Sequence, residues 1–325
     1  MVTYNNIQLV HVENGLDINY NLVETDKEVL FAFKDGNLIN GLTHSCDIEP
    51  IKSNMEILDT KDIKYIKESS FLYYSSSYQR SFTHYMTQCL PKLNVYTEDM
   101  LLVVPKSTYN NLCKEILDLM GISRVLVLEP NTTYIFNKLH TLPHHSGEWH
   151  ADLNNQHSVD VFNKLRNKLN ISPSIDPKRK VYLRRDYIPN KEFNNGEVGS
   201  SRKILNEDEL INTLESKGFE IITLGTKTLN DKSVLLKDVD VLITQLGANC
   251  MNLFLSNGPN KLLLLSNDKP IWDKYYVGLC SQLNGRNISH NLLTYKGDGS
   301  KGDPKNIWNN PFSVSVGDVL NYLNK

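Results

Sequence analysis

The sequence has few cysteines, and they form no close pair. The five are widely spaced and odd in number: Cys46, Cys89, Cys113, Cys250 and Cys280. This spacing contains no CxxC motif and is typical of a reduced intracellular compartment rather than of a disulfide framework. The first twenty residues lack a basic start followed by an apolar run, so we expect no secretory signal and predict a cytoplasmic protein.

Long hydrophobic runs and a strong net charge are also absent. The longest apolar stretches, such as Leu262–Leu265, are far too short to cross a bilayer, so we expect no integral membrane segment. The formal net charge of −2 gives no general attraction to nucleic acid or to an anionic membrane. A chain of 325 residues that is 40% hydrophobic and 22% charged is typical of a globular protein of two domains.

Apolar strands alternate with amphipathic helices in two stretches of the chain. Before them, short runs at 7–12, 29–33 and 71–74 indicate strands, and helical spacing from Ser81 stops at Pro91. The first stretch predicts strands at 100–104 and 124–128 and helices at 109–120 and 158–169. The second predicts strands at 180–183, 219–223, 239–244 and 261–266 and helices at 206–217, 229–237, 249–256 and 318–323. Residues 170–179, which include Pro173 and Pro177, have no periodicity and are interpreted as a linker. We therefore predict an α/β fold of two Rossmann-like parallel-sheet domains, residues 1–172 and 173–325, that face a cleft.

The strand predicted at 239–244 leads into a turn of small residues and then a helix. Gly247 and Ala248 would lie at the carboxyl end of a parallel strand, where open sheets bind their ligands. Free backbone amides at the start of the next helix can hold a pyrophosphate. The alternative is an ordinary strand-to-helix turn that needs a small residue.

Two basic clusters come after the first predicted strand of the second half. Arg184 and Arg185 follow that strand directly, and Arg202 and Lys203 precede the next predicted helix. Guanidinium groups bind phosphate oxygens in a bidentate manner and stay charged throughout turnover. These residues are candidates for phosphate binding, and the alternative for each one is a solvated basic rim.

Histidines suggest a general base and, less directly, a metal site. His84 lies near the start of the helix that follows Ser81, where neutral imidazole would suit an acceptor hydroxyl, although a lone histidine there is usually structural. A second group combines His140, His144, His145 and His150 with Glu148. Pro143 interrupts any helix there, so we interpret the group as a loop at the mouth of the cleft rather than as a zinc site. Because no DxD pair with a flanking apolar strand occurs either, we expect no metal.

Several of these segments, in this order, resemble glycosyltransferase family 61, which includes capsular-polysaccharide-type and O-linked N-acetylglucosamine or xylose transferases. The family's histidine-bearing helix that ends in LPxL is similar to Ser81–Leu93, and its strand with a terminal arginine is similar to Val181–Arg185. Its RxxLNExEL helix start corresponds to Arg202–Leu210, the following L…GF to Leu214–Phe219, and its GAxxxN turn to Gly247–Asn252. The resemblance covers about residues 70–267, and its most specific part is LNExEL…GF.

The resemblance implies a GT-B architecture, inverting transfer from a nucleotide-sugar donor without a separate cofactor or an obligatory metal, and a role in polysaccharide biosynthesis. By analogy, Arg185, Arg202 and Asn206 would face the donor, with Arg184 as an alternative to Arg185. Gly247 and Ala248 would lie at the diphosphate. The full candidate set for donor binding is Arg184, Arg185, Arg202, Lys203, Asn206, Gln245, Gly247, Ala248, Asn249 and Asn252.

These features predict an inverting, metal-independent glycosyltransferase that acts on a glycan or glycoprotein hydroxyl. His84 is the first candidate for the base and Asp186 the second. Two positions depart from the family pattern, because Leu246 replaces a usual histidine and Lys261–Leu265 offers no glutamate. The alternative is therefore a catalytically inactive scaffold that binds nucleotide sugars or glycans. A sugar-nucleotide epimerase is a third hypothesis, and the absence of a GxGxxG fingerprint opposes NAD chemistry.

Overall fold

The computed structural model shows an α/β protein whose chain divides into two compact units, Met1–Leu165 (unit 1) and Arg166–Lys325 (unit 2). The structure describes residues 2–12, 15–16, 22–23, 29–34, 37–38, 62–73, 82–106, 108–129, 132–142, 156–174, 176–185, 203–267, 273–297 and 310–324. None of the helices in these ranges is long and apolar enough to cross a membrane.

Unit 1 contains a seven-stranded mixed sheet. Its strands are β1 (Val2–Val12), β4 (Val29–Lys34), β5 (Asn37–Leu38), β6 (Asp62–Leu72), β7 (Leu101–Pro105), β8 (Val125–Leu128) and β9 (Thr132–Thr141). A separate two-stranded pair joins β2 (Gly15–Leu16) and β3 (Leu22–Val23). The seven strands lie in the order β5-β4-β1-β9-β6-β7-β8.

The parallel sheet predicted for the first half is confirmed for β9, β6, β7 and β8. It is wrong for β1, β4 and β5, which pair antiparallel. The physical reason is clearest between β4 and β5, where Lys34 pairs with Asn37. A connection this short can join only antiparallel strands, because a parallel crossover needs a dozen or more residues.

The helices of unit 1 differ in how closely they follow prediction. Helix α2 (Asn111–Met120) confirms the predicted helix, with Asn110 Oδ1 accepting a 3.0 Å hydrogen bond from Cys113 N–H and Gly121 ending it at a φ of 73°. The helix predicted to stop at Pro91 instead begins as a short α1 (Phe82–His84). It continues as a π-helix (Tyr85–Cys89) and then as a 3₁₀-helix (Leu90–Asn94). Pro91 is accommodated in the first turn of the 3₁₀-helix, where its missing N–H leaves no bond unmade.

Unit 2 contains a five-stranded sheet in which all strands are parallel. They are β10 (Arg179–Leu183), β11 (Glu220–Ile222), β12 (Val239–Gln245), β13 (Lys261–Ser266) and β14 (Ser289–Thr294). The order is β11-β10-β12-β13-β14, so the first strand in sequence lies between the second and the third. Helix α3 (Gln156–Lys168) precedes this sheet.

Helices cover both faces of the sheet in unit 2. They are α4 (Glu207–Ser216), α5 (Leu229–Leu235), the 3₁₀-helix Ala248–Leu255, α6 (Asp273–Asn284) and α7 (Val316–Leu323). α4 and α7 share a core with one face through Leu214, Val319, Tyr182, Ile243 and Leu265. α5, the Ala248–Leu255 helix and α6 connect the strands from β11 to β14, and they pack against one another. Because parallel crossovers are right-handed and the chain reverses its direction across the sheet after β11, these three helices lie on the opposite face.

The predicted elements of unit 2 are confirmed, with shifts of one or two residues at their ends. The elements that were not predicted include β9, α6 and β14. Strand β14 is mostly exposed, and Gly278 interrupts the apolar spacing of α6, so neither has a clear periodic pattern.

Candidate active site

The carboxyl ends of β10 and β12 form the point at which the strand order of unit 2 reverses. β10 is followed by β11 on one side and β12 lies on the other side, which is the topology that opens a ligand crevice outside the strand ends. Thr244 Oγ1 donates a 3.0 Å hydrogen bond to the carbonyl oxygen of Leu183 and ties the two strand ends together. Arg184 and Arg185 follow one strand here, and the Gly247 turn follows the other.

The turn at Gly247 has a backbone conformation that requires glycine. Its φ of 137° and ψ of −145° lie where a side chain would be strained. The turn leads into the 3₁₀-helix that begins at Ala248, whose side chain lies outside the described part of the structure. Cys250 N–H donates to Gly247 O at 2.9 Å and closes the first turn. Gln245 is buried at the end of β12.

Two asparagines in this helix carry buried polar atoms for which the described residues provide no hydrogen bond. Asn249 Nδ2 is an unpaired donor and Asn252 Oδ1 an unpaired acceptor. Asn252 uses its other atom, since Nδ2 donates to Asn249 O at 3.2 Å. An unmade hydrogen bond of a buried polar group costs about 1–3 kcal/mol, so we expect an ordered water or a bound ligand to complete these two.

Arg184 is held by a buried carboxylate. Its Nε donates a 3.1 Å hydrogen bond to Glu207 Oε2, and Tyr182 donates its hydroxyl to Glu207 Oε1 at 2.9 Å. Glu207 is the first residue of α4, where the helix dipole favours a negative charge. The Arg184 side chain is 40% exposed and that of Glu207 only 5% exposed, so the arginine presents part of its guanidinium to solvent.

The other predicted donor-binding residues have different surroundings. Lys203 is exposed, and its carbonyl oxygen accepts a 2.9 Å hydrogen bond from Phe312 N–H. Asn206 precedes α4 and has both ends of its amide bonded to the backbone of Val314. Arg185 is half-buried. The candidates Arg202 and Asp186 lie outside the described residues.

Unit 1 has a corresponding reversal between β6 and β9. These adjacent parallel strands end at the same edge of the sheet. In the sequence, the segment with His84 follows β6, and residues 144–150 follow β9. The backbone of His84 ends α1, whereas its side chain lies outside what the structure describes. The next residue, Tyr85, is fully buried and accepts a 2.8 Å hydrogen bond from the Tyr73 hydroxyl.

The histidine cluster is not a single loop. His140 lies within β9 and is buried, with Nε2 at 3.0 Å from Ser69 Oγ. Burial lowers the pKa of its imidazole, with a smaller contribution from Lys138. His144, His145, Glu148 and His150 lie outside the described residues.

The comparison with known families agrees with this geometry. Residues 82–262 match the family model described as Glycosyltransferase 61, which is more than half of the chain. The chain belongs to glycosyltransferase family 61. It is therefore a glycosyltransferase, and this activity implies a sugar donor and an acceptor as its substrates. A search of curated proteins finds no significant match.

The range that matches family 61 begins at α1 and ends in β13, so it includes β10 and β12, which form the switch point of unit 2. In unit 1 it includes β9 and begins after β6. Two features of the site could not be recognised in advance. The first is the contact of Glu207 with Arg184, for which the only signal was an acidic residue at a helix start after a basic strand end. The second is Arg166, a buried cation that bonds to the far end of the Ala248–Leu255 helix.

Proposed function

We propose that this family 61 glycosyltransferase transfers a sugar with inversion from a nucleotide-sugar donor to a hydroxyl group of a glycan or protein. The observation that supports it best is the switch point of unit 2, where Arg184 and the Gly247 turn follow neighbouring strand ends. A guanidinium and free backbone amides are the donors that a diphosphate needs. The unpaired Asn249 Nδ2 adds a third kind of donor at the same turn.

The donor diphosphate leaves as an anion, and we propose that fixed cationic side chains rather than a divalent ion neutralise it. Arg184, Arg185 and Lys203 are the described cations around the strand end and the start of α4, and Arg202 is a further candidate. Positioned charges of this kind stabilise a leaving group without reorganising during the reaction.

In the proposed reaction, a base removes the proton of the acceptor hydroxyl, with His84 as the first candidate and Asp186 as the second. The oxygen forms a bond to the anomeric carbon while the bond from that carbon to the diphosphate oxygen breaks. The electron pair of the broken bond remains on the diphosphate, and attack from the opposite side inverts the anomeric centre. The GT-B arrangement, a role in polysaccharide biosynthesis and a cytoplasmic location stay predictions.

One observation favours a second candidate function, a binding protein without turnover. Leu246 occupies the position at which the family usually has histidine, and its side chain is buried in unit 2. A buried leucine supplies no hydrogen bond to a donor phosphate. A scaffold of this kind would bind nucleotide sugars tightly and convert none of them.

A panel of uridine-, guanosine-, adenosine- and cytidine-diphosphate sugars tests both candidates. We expect transfer or slow hydrolysis of one donor, in the presence of a chelator and with an inverted product anomer by NMR. Arg184→Ala should lower kcat/KM about 10- to 100-fold, because a hydrogen bond to a charged group contributes about 1.5–3 kcal/mol. The control Lys217→Ala changes an exposed lysine at the other end of α4 and should retain activity.

Each part of the proposal has its own contrary result. Activity unchanged in both Arg184→Ala and Arg202→Ala would remove the phosphate assignment. A retained anomer would contradict inversion, and loss of activity with chelator would contradict metal independence. Nucleotide binding by calorimetry without turnover of any donor would support the scaffold instead.

A further inference from the structure

The carboxylate of Glu207 is buried at the start of α4, between a buried tyrosine and a partly exposed arginine. Its side chain is 5% exposed, and its two oxygens accept hydrogen bonds from Tyr182 and Arg184. Removing a carboxylate from water is costly, and a buried ion pair can often be replaced as a whole by apolar residues of similar volume without loss of stability. A glutamine could still accept the hydrogen bond of Tyr182. The helix dipole favours a negative charge here, and the hydrogen bond to the partly exposed Arg184 directs that charge toward the strand end.

We propose that Glu207 is a positioning residue that holds the Arg184 guanidinium in the orientation needed to bind the diphosphate of the donor. This inference rests on the proposed function. In this proposal Arg184 contacts the donor diphosphate. Glu207 does not contact it and acts by orienting Arg184.

The geometry explains how one contact can orient the arginine. A guanidinium is planar and has five N–H donors, and the bond to Glu207 uses the one on Nε. Fixing Nε restricts rotation of the whole plane, so the donors on the two Nη atoms keep a defined direction. Ordering a long flexible side chain in advance lowers the entropy lost when the ligand binds.

The carboxylate is itself held in place from two elements. Tyr182 lies in β10 and is buried, and Glu207 begins α4 with its charge at the positive end of the helix. The strand and the helix thus fix the anion that orients Arg184. The Glu207 contact therefore gives Arg184 a defined orientation as a candidate phosphate ligand.

A double-mutant cycle tests the proposal on the full chain. Dissociation constants for uridine, guanosine, adenosine and cytidine diphosphates would be measured by calorimetry for the wild type, Glu207→Gln, Arg184→Ala and the double variant. For the diphosphate that binds the wild type most tightly, we expect Glu207→Gln to weaken binding about tenfold. In the Arg184→Ala background, the same change should alter binding less than about twofold.

Two further readouts separate positioning from a structural role. The matching nucleoside, which lacks phosphates, should bind Glu207→Gln as it binds the wild type. In Glu207→Gln the KM for the donor should rise, while the KM for the acceptor should stay as in the wild type. Asp208→Asn changes an exposed acid in the same first turn of α4 and serves as the control. If Glu207→Gln does not fold, Tyr182→Phe removes one bond to the same carboxylate and should give a smaller loss that also depends on Arg184.

The results distinguish this inference from the proposed function. Equal losses on Glu207→Gln with and without Arg184, or no loss at all, would overturn the positioning role while leaving the diphosphate site intact. A wild type that binds none of the four diphosphates would overturn the proposed function, and the positioning role with it.

Discussion

The side-chain amide of Asn206 bonds twice to the backbone of Val314. Its Oδ1 accepts a 2.8 Å hydrogen bond from Val314 N–H, and its Nδ2 donates to Val314 O at 2.9 Å. The two residues are far apart in sequence, and the pairing joins the start of α4 to the segment just before α7. Asn206 lies within the range that matches family 61, and this bridge gives that residue a structural role.

We predict that Asn206→Ala destabilises the protein by about 1–3 kcal/mol, because the N–H and the carbonyl of Val314 both lose their partner. Urea unfolding would measure the change. Asn212→Ala removes an exposed amide on the same helix and should be neutral or slightly stabilising, since alanine favours the helix. Equal effects of the two substitutions would contradict the structural role.

The Gly247 turn could be predicted because its signal is local. An apolar run followed by small residues and a second apolar run indicates strand, turn and helix within about a dozen residues. The neighbours of that turn could not be predicted. Alternation of strands and helices indicates a parallel sheet, but it does not reveal that β10 lies between β11 and β12. Only this order brings Arg184 beside the turn.

The role of Asn206 and the strand β9 also depend on contacts between residues far apart in the sequence, which the local pattern does not reveal. Asn206 was predicted to face the donor, and the family pattern alone could not distinguish that role from its bridge to Val314. Strand β9 was missed because Asn137 and Lys138 interrupt its apolar residues. It is nevertheless a central strand that pairs with β1 and β6. Its position depends on those partners more than on its own pattern.

The buried Arg166 gives a second prediction, about how the 3₁₀-helix Ala248–Leu255 is anchored. Its Nη1 donates to Phe254 O at 2.6 Å and to Ser256 O at 2.9 Å, and its Nη2 donates to Asn284 Oδ1 at 2.9 Å. Burial lowers the pKa of the guanidinium, and the three oxygens stabilise its charge. Arg166→Met leaves these acceptors unpaired, so we expect a loss of about 3–5 kcal/mol in the free energy of unfolding.

Lys168→Met is the matched control for Arg166→Met, because Lys168 is exposed on the same helix. It should change stability by less than about 0.5 kcal/mol. Thermal and urea unfolding of both variants would measure the two changes in stability. If Arg166→Met unfolds at the same denaturant concentration as the wild type, the hydrogen bonds of Arg166 do not stabilise the helix end.

The conformation of Gly247 gives a third prediction. At a φ of 137°, an alanine would be strained, and we expect Gly247→Ala to cost about 1–3 kcal/mol in stability. Gly317→Ala is a suitable control, because Gly317 lies in α7 and a Cβ there would meet its nearest neighbour, Ser315 Oγ, at an ordinary distance of 3.8 Å. Alanine in a helix should stabilise by about 0.5–1 kcal/mol.

Gly247→Ala also tests the proposed diphosphate site. A displaced turn would misdirect the backbone amides that follow it, so nucleoside-diphosphate binding should weaken under conditions where the variant remains folded. Gly317→Ala should bind as the wild type does. If Gly247→Ala loses the expected stability but binds the diphosphate as the wild type does, the turn does not contact the diphosphate.

The fourth prediction concerns the buried thiol of Cys280 and the stability of the protein at alkaline pH. Burial raises the pKa of Cys280 to about 11, with smaller opposing effects from Ser256 and Arg166. In the unfolded chain a thiol has a pKa of about 8.5. Between these values the unfolded state releases a proton that the folded state retains. The contribution of the group to stability is thus fully present below pH 8.5 and is lost as the pH rises toward 11, by up to about 1.4 kcal/mol per pH unit.

Cys280→Ala isolates this effect from the other groups that titrate in the same range. The variant should be less stable than the wild type at pH 7, because it removes buried volume and the Sγ contact to Leu253 O. The difference in unfolding free energy between the two should narrow from pH 8.5 to 11, since only the wild type loses the thiol's contribution. Urea unfolding at intervals of half a pH unit would measure it. A constant difference over that range would mean that the folded protein ionises Cys280 as readily as the unfolded chain does, so burial would not hold the proton on the thiol.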